Sequence, residues 1–137
     1  MKKKPNILVV RSMYNETQEL YESAYEELQK KKLYWDRYFV NGAFEIPVVI
    51  ARNIKKYDGF IAIGIIIKGK THNFELISQA ITNGLIQLSI EHKKPIGNAI
   101  LTCYSKDQAE ERGHKGQEAV NAVLSILDKK VYGNVTK

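Results

Sequence analysis

At 137 residues the chain is long enough to bury most of the apolar surface that it exposes when unfolded, and a single domain over residues 1–137 is expected. Its formal charge of +6 and pI near 9.3 raise the question of an anionic partner. The longest apolar run, residues 60–67, includes Gly64 and is far short of the roughly 20 residues that a membrane helix requires, so no membrane partner is expected; the single cysteine, Cys103, rules out an internal disulfide and fits a reducing cytoplasm.

Lys2-Lys3-Lys4 precedes only a short apolar piece ending at Arg11, which does not read as a secretory signal. Residues 6–10 form a short buried strand. Asn15, with Gln18 three residues on, has capping-box spacing and opens a helix whose Leu20, Ala24 and Leu28 make an inward stripe. Residues 33–40 are aromatic and β-branched enough for a second strand. Ile46, Ile50 and Ile54 mark the next helix, where Pro47 is tolerable only in the first turn.

Tyr57-Asp58-Gly59 turns into residues 60–67, a continuous apolar run suited to a strand covered on both faces. Thr71 can cap the following helix, whose Phe74, Ile77, Ile81, Leu85 and Leu88 share a face. Pro95 precedes a fourth strand, residues 96–102. Ser105 with Gln108 repeats the capping-box spacing, Gly113 breaks a short helix, and Ala119, Val120, Val123, Leu124 and Leu127 form the last one.

Strands alternating with helices imply an α/β protein: a three-layer αβα sandwich, with a flavodoxin-like four-stranded parallel sheet and helices on both faces. Lys30-Lys31-Lys32, Lys55-Lys56, Lys93-Lys94 and Lys129-Lys130 fall at or just beyond predicted helix C-termini, where cations complement the helix dipole. The positive charge is read that way rather than as a nucleic-acid patch.

Chemistry in such a sheet belongs to the loops leaving the strand C-terminal ends. Two stand out: Gly42-Ala43-Phe44-Glu45-Ile46-Pro47, and Gly64-Ile65-Ile66-Ile67-Lys68-Gly69-Lys70-Thr71-His72-Asn73-Phe74-Glu75. Both leave an apolar segment and enter helical periodicity, so they share one crevice. Gly69-Lys70-Thr71 is either an ordinary helix opening or an anion site at free backbone amides, to which Arg112 and Lys115 could add a guanidinium and an ammonium. Glu45 is either a solvated first-turn acid or a ligand-binding carboxylate. No Cys/His grouping has metal-ligand spacing.

These two loops resemble those of lumazine synthases, the riboflavin-pathway enzymes that make 6,7-dimethyl-8-ribityllumazine. Further similar blocks follow in the family's order: Tyr14-Asn15, Pro95-Ile96-Gly97-Asn98, Leu101-Thr102, Gln108-Ala109, Arg112 and Lys115-Gly116. The resemblance implies a transferase that condenses 5-amino-6-ribitylamino-uracil with 3,4-dihydroxy-2-butanone 4-phosphate and releases phosphate and water, with no cofactor. It places Tyr14 against the pyrimidine, with Asn15 beside it. Ala43, Phe44 and Glu45 line the ribityl site, Ile66 and Ile67 meet the ring through main chain, and Asn98 reaches it from an adjacent subunit. Lys70, Thr71, Arg112 and Lys115 would hold the phosphate.

One departure concerns the proton carrier. The family's usual histidine position is Asn73 here, and histidine occurs one residue earlier, at His72. Either His72 turns into the site as general acid/base beside Asn73, or catalysis rests on orientation and phosphate expulsion. The segment from Arg112 to Lys115 is also shorter than in relatives, with His114 a secondary candidate. The resemblance further implies a homopentamer, 60-subunit shells in some members, and functional coupling to riboflavin synthase. The short stretch before the first strand points to the pentamer. A scaffold or flavin-binding relative without catalysis, and a generic binding module for nucleic acid, are the alternatives, separable by product formation and by salt-dependent binding.

Overall fold

The protein is described by a computed structural model over residues 4–69 and 73–128. Four strands, β1 (Asn6–Ser12), β2 (Tyr34–Val40), β3 (Gly59–Ile67) and β4 (Ile96–Cys103), form one all-parallel sheet in the order β2-β1-β3-β4. Helices α1 (Gln18–Lys30), α2 (Ile46–Arg52), α3 (Asn73–His92), α4 (Lys106–Glu111) and α5 (Lys115–Leu127) connect and follow the strands. Successive strand side chains point to opposite faces, so two cores form. Ile7, Val9, Ile61 and Ile63 pack with Leu20, Leu28, Val120 and Val123 of α1 and α5; Leu8, Val10, Phe60 and Ala62 pack with Ile46, Ile50, Ile81 and Leu85 of α2 and α3.

This is the three-layer flavodoxin-like arrangement that the alternation predicts. The chain runs from β1 outward to β2, then reverses across β1 to β3 and β4. With one crossover hand, that reversal puts α1 on one face and α2 and α3 on the other. Two glycines permit the α5 side to close: a β-carbon on Gly116 would collide with the Leu20 carbonyl of α1, and one on Gly97 with the Ala119 carbonyl.

Two of the lysine clusters sit at helix ends, and Lys55-Lys56 lies in the turn beyond α2. Lys30 is in the last turn of α1; Lys32 and Lys93, both at φ 56°, take the left-handed position that terminates α1 and α3. There Leu33 N–H donates to the Leu28 carbonyl and Lys94 N–H to the Ser89 carbonyl, each at 3.2 Å. Lys129-Lys130 lies outside the described residues.

One local expectation is corrected. The first helix begins at Gln18, not Asn15, and the Asn15–Gln18 capping box does not form. Asn15 instead takes a left-handed backbone, φ 65°, and its side-chain amide donates to the Ile65 carbonyl of β3 at 2.8 Å. A bond to a neighbouring strand outcompetes the local cap. The second capping signal holds in altered form: Ser105 Oγ accepts from Gln108 N–H, while Gln108 Oε1 accepts from Tyr104 N–H rather than from the cap's own amide.

Candidate active site at the strand C-terminal rim

β1 and β3 are neighbours whose outgoing connections diverge, which opens a crevice at their C-terminal ends. The loop after β1 forms one side. Met13 N–H donates to the Val40 carbonyl and Tyr14 N–H to the Asn41 carbonyl, each at 2.8 Å, so the loop continues along β2 and presents the Tyr14 side chain outward, the residue 72% exposed. Asn15 crosses the crevice to Ile65, as described above.

The loop after β2 enters a short 3-10 turn, Ala43–Glu45, that leads into α2 with Pro47 in the first turn. Glu45 Oε1 accepts from Gly42 N–H at 2.8 Å, closing the turn. Ala43 is buried, packed close to Gly64 of β3, while Phe44 points outward, 63% exposed. Glu45 is exposed, and the backbone amide fixes the direction of its carboxylate.

At the end of β3, Ile66 and Ile67 are half-buried on opposite faces. Lys68 N–H donates to the Cys103 carbonyl at 2.9 Å; its ammonium lies 3.5 Å from Glu75 and 5.5 Å from the centre of the Tyr104 ring. Phe74 packs beside Tyr104 at 6.1 Å between ring centres. Arg112 Nη1 reaches the Thr102 carbonyl at 3.4 Å. Burial pushes the Cys103 thiol up, and the Arg112 guanidinium beside it acts in the opposite direction.

Tyr14, Asn15, Ala43, Phe44, Glu45, Ile66 and Ile67 therefore meet at one rim, with Asn73 at the start of α3 and Arg112, just past α4, reaching the end of β4. Lys70, Thr71 and His72 lie outside the described residues. Two candidates stand apart. Asn98 is opposite Ala62, five residues back from the end of β4, near Thr82 and Ile86 of α3. Lys115 is paired with Glu118 at 3.1 Å, and His114 Nε2 lies 3.4 Å from the same carboxyl group. Lys68 and Tyr104 escaped the sequence reading as partners: they are 36 residues apart, and only the β3–β4 register joins them. Among the described residues no cluster of three His, Cys, Asp or Glu is placed to hold a metal, and no helix is long and apolar enough to cross a membrane.

An open parallel sheet with an aromatic and an amide-held carboxylate beside its switch point is the arrangement of an α/β protein whose ligand crevice lies at the strand C-terminal ends. Known proteins narrow this. The sequence model of the 6,7-dimethyl-8-ribityllumazine synthase family matches residues 4–130. Proteins named 6,7-dimethyl-8-ribityllumazine synthase are similar over nearly the whole chain. One from Bartonella tribocorum is 36% identical, the match covering 98% of this chain and 96% of the relative. Others are from Bartonella bacilliformis, 35% identical with 95% and 93% covered, and Agrobacterium fabrum, 33% identical with 93% and 95% covered. The chain belongs to the 6,7-dimethyl-8-ribityllumazine synthase family.

Proposed function

We propose that this chain, as one domain over residues 1–137, condenses 5-amino-6-ribitylamino-uracil with 3,4-dihydroxy-2-butanone 4-phosphate to give 6,7-dimethyl-8-ribityllumazine, as a transferase of riboflavin biosynthesis. The observation that carries this reading is the family match over residues 4–130, which spans every rim loop. The primary amine attacks the ketone and water leaves as the imine forms; phosphate is expelled, and the ribitylamino nitrogen closes the ring with loss of water.

Tyr14 stacks on the pyrimidine, with Asn15 holding its loop, and the main chain of Ile66 and Ile67 meets the ring edge. Ala43 and Phe44 flank the ribityl chain. Glu45 keeps one oxygen on Gly42 N–H and offers the other to ribityl hydroxyls. Lys70, Thr71, Arg112 and Lys115 hold the phosphate, Lys115 by leaving Glu118. His72 carries the proton and Asn73 hydrogen-bonds beside it.

The site is completed by a second copy, with Asn98 reaching a neighbour's pyrimidine, and the assembly is a homopentamer rather than a 60-subunit shell. Two features support a neighbouring copy at the site: Asn98 stands away from its own rim, and α3 exposes Leu76, Ile86 and Ile90. The enzyme works in the cytoplasm and hands its product to riboflavin synthase; it uses neither nucleic acid nor a membrane as partner.

The test is a rate assay with both substrates on wild type, His72→Ala and Asn73→His. Wild type should form lumazine, and His72→Ala should lose about 100-fold in kcat. An unchanged rate in His72→Ala would move the proton carrier elsewhere, and a wild type that makes no lumazine would end the synthase reading.

A further inference from the structure

We propose that Arg11, a residue with no place in the substrate site, is a positioning residue that sets the Tyr14 loop for the pyrimidine; this rests on the synthase reading above. Arg11 is only 7% exposed, near the end of β1 on the α1 face. Its guanidinium carbon lies 4.7 Å from the centre of the Tyr21 ring and 5.7 Å from that of Phe39. Tyr21 is itself held, accepting from Arg37 Nη1 at 3.0 Å. The acid nearest to Arg11 among its described contacts, Glu16, is 3.9 Å away with its side chain 81% exposed.

A buried cation with so weak a counter-ion is a poor way to stabilise a core, and an apolar residue of similar volume would cost less. Its hydrogen bonds explain the placement better. Nε donates to Thr17 Oγ1 at 2.8 Å and Nη2 to Gln18 Oε1 at 3.1 Å. Thr17 is buried, and its hydroxyl donates in turn to the Ser12 carbonyl at 2.9 Å. Arg11, Thr17 and Ser12 thus form a clip across the base of residues 13–16.

The outer edges of that segment are tied to β2 and β3 by the Met13, Tyr14 and Asn15 bonds described above. The clip ties it from within. Because the Tyr14 side chain projects into solvent, its direction is set by the backbone of this loop. Loosening the base should weaken stacking on the pyrimidine and leave the phosphate substrate, held by other loops, unaffected.

The test uses the full-length protein with Arg11→Met, Arg11→Lys and Thr17→Val. Expected for Arg11→Met and Thr17→Val is a roughly tenfold rise in KM for 5-amino-6-ribitylamino-uracil, with kcat and the KM for the butanone phosphate within about twofold. Hydrogen exchange at the Met13 and Tyr14 amides should quicken by about tenfold while β3 amides do not change. Arg11→Lys should fall between, because one ammonium cannot reproduce the guanidinium fork that serves Thr17 and Gln18 together.

Unchanged exchange and KM in the folded variants would overturn the clip, as would equal rises in both KM values. Should Arg11→Met fail to fold, Thr17→Val decides, since it keeps the volume and removes only the hydroxyl. A wild type without turnover would sink the synthase reading alone, and exchange at Met13 and Tyr14 would then decide the clip.

Discussion

Asn15 carries two separable duties, and replacing it by alanine or by glycine divides them. Alanine removes the 2.8 Å bond from its side-chain amide to the Ile65 carbonyl, worth about 1 kcal/mol for a half-buried neutral pair. It also forces a residue without a polar tip to hold φ 65°, at a further cost of about 1 kcal/mol. Asn15→Ala should therefore lose about 2 kcal/mol, roughly a 30-fold fall in the folded-to-unfolded ratio. Glycine loses the same bond but accepts the left-handed backbone, so Asn15→Gly should lose about 1 kcal/mol. Urea unfolding followed by circular dichroism, at one fixed protein concentration, measures both. Equal losses in the two variants would refute the backbone part of the reasoning, and two neutral variants would refute the bridge to β3.

Tyr14 is too exposed to matter for folding, so Tyr14→Ala should leave the urea midpoint in place while raising the KM for 5-amino-6-ribitylamino-uracil about tenfold; Tyr14→Phe, which keeps the ring, should stay within about twofold. A Tyr14→Ala enzyme with ordinary KM would remove the stacking role. The Tyr57 hydroxyl donates to Asp36 Oδ2 at 2.7 Å, and that bond, with burial second, pushes the phenol up to about 12 from 10.0. The folded protein thus holds this proton more tightly than the unfolded chain. Its contribution is complete below about pH 10 and is lost as pH rises from there through 12. An ultraviolet titration of wild type against Tyr57→Phe checks this, and a missing tyrosine with an ordinary midpoint would contradict it.

The layers and the rim were readable because they follow from periodicity. Continuous burial of Phe60 to Ile65 in β3 matches the unbroken apolar run, and Leu20, Ala24 and Leu28 point inward at the predicted spacing. What escaped were bonds between residues distant in sequence. Asn15 and Gln18 have the spacing of a helix start, but Ile65, 50 residues on, claims the asparagine. An arginine ending a strand reads as a surface charge until Phe39, 28 residues later in the chain, is placed on the adjoining strand. Tyr104 and Lys68 likewise share nothing in sequence; the parallel register alone sets one over the other.

The one-sided seating of α3 bears on how the proposed enzyme meets dilution. Its 20 residues fully bury Ile81 and Leu85 and pack Ile77 and Leu88 partly against the core, while Leu76, Ile86 and Ile90 remain in water in a lone chain. If neighbours cover those side chains, heat resistance and turnover both become functions of protein concentration. A culture making little of this polypeptide would then lose activity more steeply than the amount of chain falls.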